Sequence, residues 1–175
     1  MRIVRIIEES NALLSVIDED QGISEFEKLF DDWTNVQFLH NFFETHQKDL
    51  EGYGIEEAVN RTIEDAFSLE DKFYEIVEDE IDELQILFRP LSNSQYKIRK
   101  FQREKSSGLF RKSWLRVYAI RIESNKYLIT GGAIKLTQKM QERSHTNEQL
   151  VRLTQARDFL LENGFLDTDI EMLEV

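Results

Sequence analysis

The sequence has no cysteine, a single proline (Pro90), only seven glycines and only three histidines in 175 residues. Without cysteine there are no disulfides and no thiolate chemistry, and a reducing compartment is the natural setting. No apolar run reaches the roughly 18 residues that a membrane helix needs. The opening MRIVRIIEES has too short an apolar run for a signal peptide. A cytoplasmic protein with no membrane contact is expected. Also missing are a glycine-rich phosphate loop of P-loop or Rossmann spacing, an HExxH helix and any Cys/His cluster, so no cofactor and no metal is expected. The acidic run Glu78–Glu83 lacks the glycine-centred loop of alternating oxygen ligands that calcium requires, and reads as a solvated helix end.

What is present is charge, unevenly divided. Residues 1–88 hold 6 Lys/Arg against 24 Asp/Glu, a net of −18, within a chain whose total is −12. Arg89–Arg143 holds 14 basic residues against three acidic ones (Glu104, Glu123, Glu142), a net of +11. Such asymmetry suits either a nucleic-acid surface in the basic part or acidic helices that solvate themselves and offset the basic half. At this length the chain reads as one domain: an acidic strand-plus-helix block over 1–88, a basic sheet with a closing helix over 89–163, and an acidic tail over 164–175.

Hydrophobic spacing supplies the elements. Arg2–Ile7 alternates like a strand, and Leu13–Ile17 follows as its partner. Ser24 with Glu27 three residues on makes a capping box before the stripe Phe26, Leu29, Phe30, Trp33. Asn35–Gln47 repeats the helical pattern, and Ile55–Glu80 carries it over a long helix whose stripe runs on to Phe88. Arg89-Pro90 stops it, because proline disfavours helix in the residue before it. Tyr96–Gln102 is a short strand candidate. Trp114–Glu123 and Tyr127–Ile134 read as a hairpin about a Ser124-Asn125-Lys126 turn. Thr146–Asn163 is the last helix, with Thr146 as cap, Gln149 completing a box and Gly164 as its stop. The acidic tail is expected to be loose at its end. The class is α+β: a small antiparallel-rich sheet flanked by helices, with an enlarged acidic helical N-terminal part. The Gly131-Gly132 step suits close approach by an anionic ligand, or is a plain β-bulge.

Several residues in this order carry a resemblance. Arg89-Pro90-Leu91 is followed by Tyr96-Lys97-Ile98-Arg99, by Leu115-Arg116-Val117-Tyr118, and by Gly131-Gly132-Ala133-Ile134-Lys135-Leu136-Thr137-Gln138-Lys139. Over about residues 89–163 the chain resembles the RelE/ParE superfamily of bacterial toxins, particularly its HigB-like branch. The Gly-x-Ile-Lys-x-Thr-Gln-Lys run is the most specific piece.

The resemblance implies a RelE-like sheet, a toxin–antitoxin function as a metal-independent endoribonuclease (mRNA interferase) acting on RNA or ribosome-bound mRNA, and a co-encoded helix-turn-helix antitoxin. Carried over position by position, it implies Arg99, Arg116 and Lys135 as the catalytic cations facing the scissile phosphate from a basic sheet face. Lys139 extends that patch, and Arg89, Arg111, Lys112 and His145 complete an RNA-binding set. Fixed cations suit RNA cleavage because attack by the 2′-hydroxyl builds negative charge on the phosphate oxygens. His145, placed just before the last helix, is the one histidine of the basic half, and histidine is the side-chain type suited to shuttling a proton near neutral pH. His40 and His46 fall in the acidic block and are assigned to structure. Many family members carry a tyrosine, histidine or acidic residue near the C-terminus for acid–base work, and 158–175 has neither tyrosine nor histidine. Two other readings stand beside this one: a non-catalytic binding module on the same fold, and an interaction protein that works through its acidic helices. The purely structural alternative for Arg116 and Arg121 is that they form salt bridges with the acidic helices.

Overall fold

The computed structural model describes residues 1–18, 20, 22–50, 52–79, 83–90, 113–136, 144–164 and 171–174. In chain order its elements are β1 (Arg2–Arg5), β2 (Leu13–Ile17), α1 (Glu25–Thr34), α2 (Val36–Thr45), α3 (Ile55–Asp79), α4 (Leu84–Leu87), β3 (Arg89–Pro90), β4 (Leu115–Glu123), β5 (Lys126–Ile134), α5 (Ser144–Glu162) and β6 (Glu171–Glu174). The strands form a mixed six-stranded sheet in the order β1-β2-β5-β4-β6-β3. Among the described residues β2 and β5 pair in parallel and the other four pairings are antiparallel. The α+β class is therefore as expected.

Helices cover both faces of this sheet. Leu13, Leu115, Val117, Ala119, Tyr127 and Ile129 share a core with Phe26, Leu29, Phe30 and Trp33 of α1, Leu39 and Phe43 of α2, and Phe73 of α3. The alternate residues Leu14, Val16, Tyr118, Ile120 and Leu128 pack with Leu153, Ala156 and Leu160 of α5. Burial on both sides explains why β5 is apolar almost throughout rather than alternating.

Local chemistry fixes the helix starts. The Ser24 hydroxyl accepts from Glu27 N (3.3 Å) while the Glu27 carboxylate accepts from Ser24 N (2.8 Å), which is the expected capping box. The buried Ser15 hydroxyl of β2 accepts from Phe26 N at 3.0 Å, so a strand satisfies another orphan donor of the same helix turn. Asn35 ends α1 and caps α2 by accepting from Phe38 N (3.0 Å). Gly164, at φ +70°, stops α5 as expected.

Four expectations change. The acidic tail contributes β6, a strand lying between β4 and β3 with Tyr118 opposite Glu174 and Arg121 opposite Glu171. Its pairing is tertiary, and four residues carry too little pattern to announce a strand. Helix α5 begins at Ser144, so Thr146 is not its cap, and Gln149 packs on β5 instead of closing a box. β1 ends at Arg5, short of Ile7. The hairpin loop is Ser124-Asn125, with Asn125 at φ +60°, and Lys126 already belongs to β5. Asparagine is among the few residues that adopt this left-handed conformation readily. The Tyr96–Gln102 strand candidate lies outside the described residues.

Candidate functional site at the open end of the central hairpin

The Gly131-Gly132 step organises the centre of the sheet. Tyr118 pairs with Gly131 and Ala119 with Ile129, so Thr130 is an extra residue on β5, a β-bulge. Because side chains alternate along a strand, the extra residue exchanges the two faces. Before it, Tyr127 and Ile129 face α1–α3; after it, Ala133 faces α5. A Cβ on Gly131 would sit 2.2 Å from Gln149 Oε1 of α5, and one on Gly132 would sit 3.0 Å from Leu29 of α1 and 2.6 Å from the Arg116 carbonyl. The close approach these glycines permit is thus made by the protein's own helices and the neighbouring strand. Of the two readings of the step, the bulge is the one observed.

Beyond the bulge, β4 begins and β5 ends at one end of the sheet. Leu115 pairs with Ile134 and Arg116 with Ala133, and Lys135 N donates to Trp114 O at 2.7 Å. Arg116 and Lys135 are therefore brought together there, on the two strands of the hairpin. Arg116 Nη1 donates to Ser113 O (2.9 Å) and Leu115 O (2.5 Å). Among the described residues its Nε and Nη2 have no hydrogen-bond or ion-pair partner, so there the side chain is anchored by one nitrogen and is not spent on an acidic helix. Since α1–α3 and α5 cover the two sheet faces, these cations stand at the sheet's end instead of on an open face.

The other expected site residues fall as follows. Helix α5 runs back along β5, with Gln149 against Gly131 and Leu153, Ala156 and Leu160 further on. His145 lies in its first turn, within the helix and not before it. Arg89 is on β3, in register with Glu174 and through it with Tyr118, two strands from β4. At about 4.8 Å per strand it is separated from the Arg116–Lys135 pair. Arg99, Arg111, Lys112 and Lys139 lie outside the described residues. His40 and His46 sit at α2, beside Glu44 (3.7 Å) and Asp49 (4.0 Å). Among the described residues no group of three or more His, Asp or Glu is placed to hold a metal, and no helix is long and apolar enough to cross a membrane.

Two polar constellations escaped the sequence. Arg61 of α3 lies over the rings of Trp114 (4.6 Å) and Tyr53 (5.0 Å), while Trp114 Nε1 donates to Thr62 Oγ1 at 2.8 Å. This fastens the start of β4 to α3 on the helical side of the sheet. On α5, Arg152 pairs with Asp18 and with Glu25 (2.6 Å), whose carboxyl is pushed above its ordinary range by burial against the attraction of Arg152. Neither group shows a local motif, since its partners are distant in sequence. Compared with protein-family models, curated proteins and solved structures, the chain matches none.

Proposed function

We propose that this chain is a RelE/HigB-like toxin homologue that binds RNA at the open end of the β4–β5 hairpin, acts in the cytoplasm and is held in check by a co-encoded helix-turn-helix antitoxin. The sequence support is the Gly-x-Ile-Lys-x-Thr-Gln-Lys run. The single structural observation behind it is the placement of Arg116 opposite Ala133, two residues from Lys135, with two guanidinium nitrogens uncommitted among the described residues. A guanidinium held by one nitrogen and offering two others is preorganised for a phosphate. In RNA cleavage the 2′-oxygen attacks phosphorus as the 5′-oxygen leaves, and Arg116 with Lys135 would stabilise the charge on the non-bridging oxygens. His145, in the first turn of α5, is the titratable group proposed to exchange the proton.

A second reading is favoured by one specific observation. Among the described residues the polar partners of Arg116 are two backbone carbonyls and no acid–base side chain, as suits a non-catalytic RNA-binding module on the same fold. One experiment separates the two. Purified protein is incubated with single-stranded RNA, with and without Arg116→Ala, and binding is measured across a salt series. Cleavage yielding cyclic-phosphate ends, abolished by Arg116→Ala, is the expected toxin result. Salt-sensitive binding without cleavage selects the binding module. Absence of binding even at low salt overturns both.

A further inference from the structure

Helix α3 presents a second surface that the RNA reading does not use. Phe67, Glu70, Asp71 and Tyr74 follow one another at i, i+3, i+4 and i+7, and so share one face of the helix. Phe67 is 53% exposed and Tyr74 38%, large apolar rings that the core leaves outside. At 1.5 Å per residue the two rings stand about 10 Å apart along the axis. The Tyr74 ring is backed edge-on by Phe26 at 6.2 Å, which gives it a fixed seat.

Among the described residues Asp31, Glu70 and Asp71 have no ion-pair partner, and Glu27 of α1 spends its carboxylate on the Ser24 cap. The cations of α1 and α3 are Lys28, Arg61 and Lys72. Each turns to a different acid: Lys28 to Glu25, Arg61 to Asp65, and Lys72 to Glu75 and Glu83. Consistent with this, Glu70 is held above its ordinary range by burial and by Asp71 and Asp31, and Tyr74 by burial and by Glu70 and Glu27. A strip of aromatic rings edged by unneutralised carboxylates is complementary to cations carried beside apolar side chains.

We propose that the α1–α3 strip of Phe67, Tyr74, Asp31, Glu70 and Asp71 is a docking surface for a basic amphipathic helical segment of a partner protein. The apolar stripe of that segment lies on the two rings, and its Lys or Arg residues reach the flanking carboxylates. The inference is independent of the RNA reading, because the strip lies on the outer surface of the helical layer and Arg116 and Lys135 are not part of it.

The test uses the full chain and a labelled synthetic helix of Leu and Lys with the leucines at i, i+3, i+4 and i+7. A scrambled peptide of equal charge is the comparison. Three variants are titrated, each checked for folding by circular dichroism: Phe67→Ser/Tyr74→Ser, Asp31→Asn/Glu70→Gln/Asp71→Asn, and a charge-matched control, Glu8→Gln/Glu9→Gln/Glu57→Gln. Saturable binding that prefers the amphipathic peptide is expected, at least about tenfold weaker in both strip variants and within about twofold in the control. An equal loss in the control means only net charge is felt and overturns the proposal, as does equal binding of the scrambled peptide. Sedimentation of the chain alone is the last check. A dimer that dissociates in the Phe67→Ser/Tyr74→Ser variant would assign the strip to a second copy and likewise overturn the partner assignment.

Discussion

Arg152 of α5 lies 2.6 Å from the Glu25 carboxylate at the start of α1, although the two helices pack on opposite faces of the sheet. The contact is made where the β2–β5 pairing stops, after Ser15 and Ile129. Arg152 also pairs with Asp18, just past β2, so one guanidinium ties both helical layers and a strand end together. The Glu25 side chain is only 4% exposed, and Arg152 Nε has no hydrogen-bond acceptor. The pair is therefore a close charge contact in which not every polar atom is satisfied.

Removing Arg152 leaves the buried Glu25, among the described residues, with only the more distant Lys28, at 4.0 Å, as a cation. Arg152→Leu is expected to cost about 3 kcal/mol in urea unfolding, as breaking a buried pair from one side does. Adding Glu25→Gln should restore part of that loss, since the stranded charge is then gone. A double mutant no more stable than Arg152→Leu alone would show that the pair is energetically idle.

Glu70 gives a pH dependence of known sign. Its folded pKa is raised above 4.5, chiefly by burial and then by Asp71 and Asp31. A carboxyl raised in the folded state binds its proton more tightly there, so its contribution to stability falls as pH rises from 4.5 through the folded value. Glu70→Gln is accordingly expected to be more stable than the parent at neutral pH, with the difference closing below 4.5. Denaturant midpoints at pH 4 and pH 7 check this; a constant difference at both would contradict it.

The two glycines should behave differently. Gly132→Ala places a methyl 2.6 Å from the Arg116 carbonyl, a backbone atom that cannot step aside, so a loss of ~2 kcal/mol or more is expected. Gly131→Ala meets only the end of the Gln149 side chain, and Gln149→Ala should recover the steric part of its loss. Thermal midpoints of Gly131→Ala and Gly132→Ala, each alone and each combined with Gln149→Ala, would show whether the rescue is confined to Gly131.

Ser15→Ala removes the acceptor of the buried Phe26 N–H, and is expected to cost about 1–2 kcal/mol. Ser15→Thr, which keeps the hydroxyl, separates the loss of the bond from the change of volume; equal stability of Ser15→Ala and the parent would remove the bond from the account.

Much of this architecture could be read from residue pattern. The Ser24–Glu27 box, the stripe Phe26-Leu29-Phe30-Trp33, the apolar hairpin and the Gly164 stop are local signals, and each lies where its chemistry requires. The misses share a cause. Glu25 reads as an ordinary first-turn acid, and its pairing with Arg152 depends on folding. The phase exchange at Thr130 depends on which β4 residue is opposite. The strand bounds alone place Arg116 and Lys135 at one end of the hairpin, but no local stripe reveals that α5 and α1–α3 cover the two faces beside them.

The position of β6 carries a kinetic consequence. It lies between β4 and β3, so two strands that a ribosome delivers earlier have no direct pairing to each other and wait for a segment delivered after α5. Until then β4 has an open edge beside Tyr118–Arg121, a template for another chain. Closure of the sheet involves contacts of long sequence separation, the kind that slows folding. Nascent or freshly diluted chains should accordingly pass through a sticky stage that ends when residues 171–174 dock.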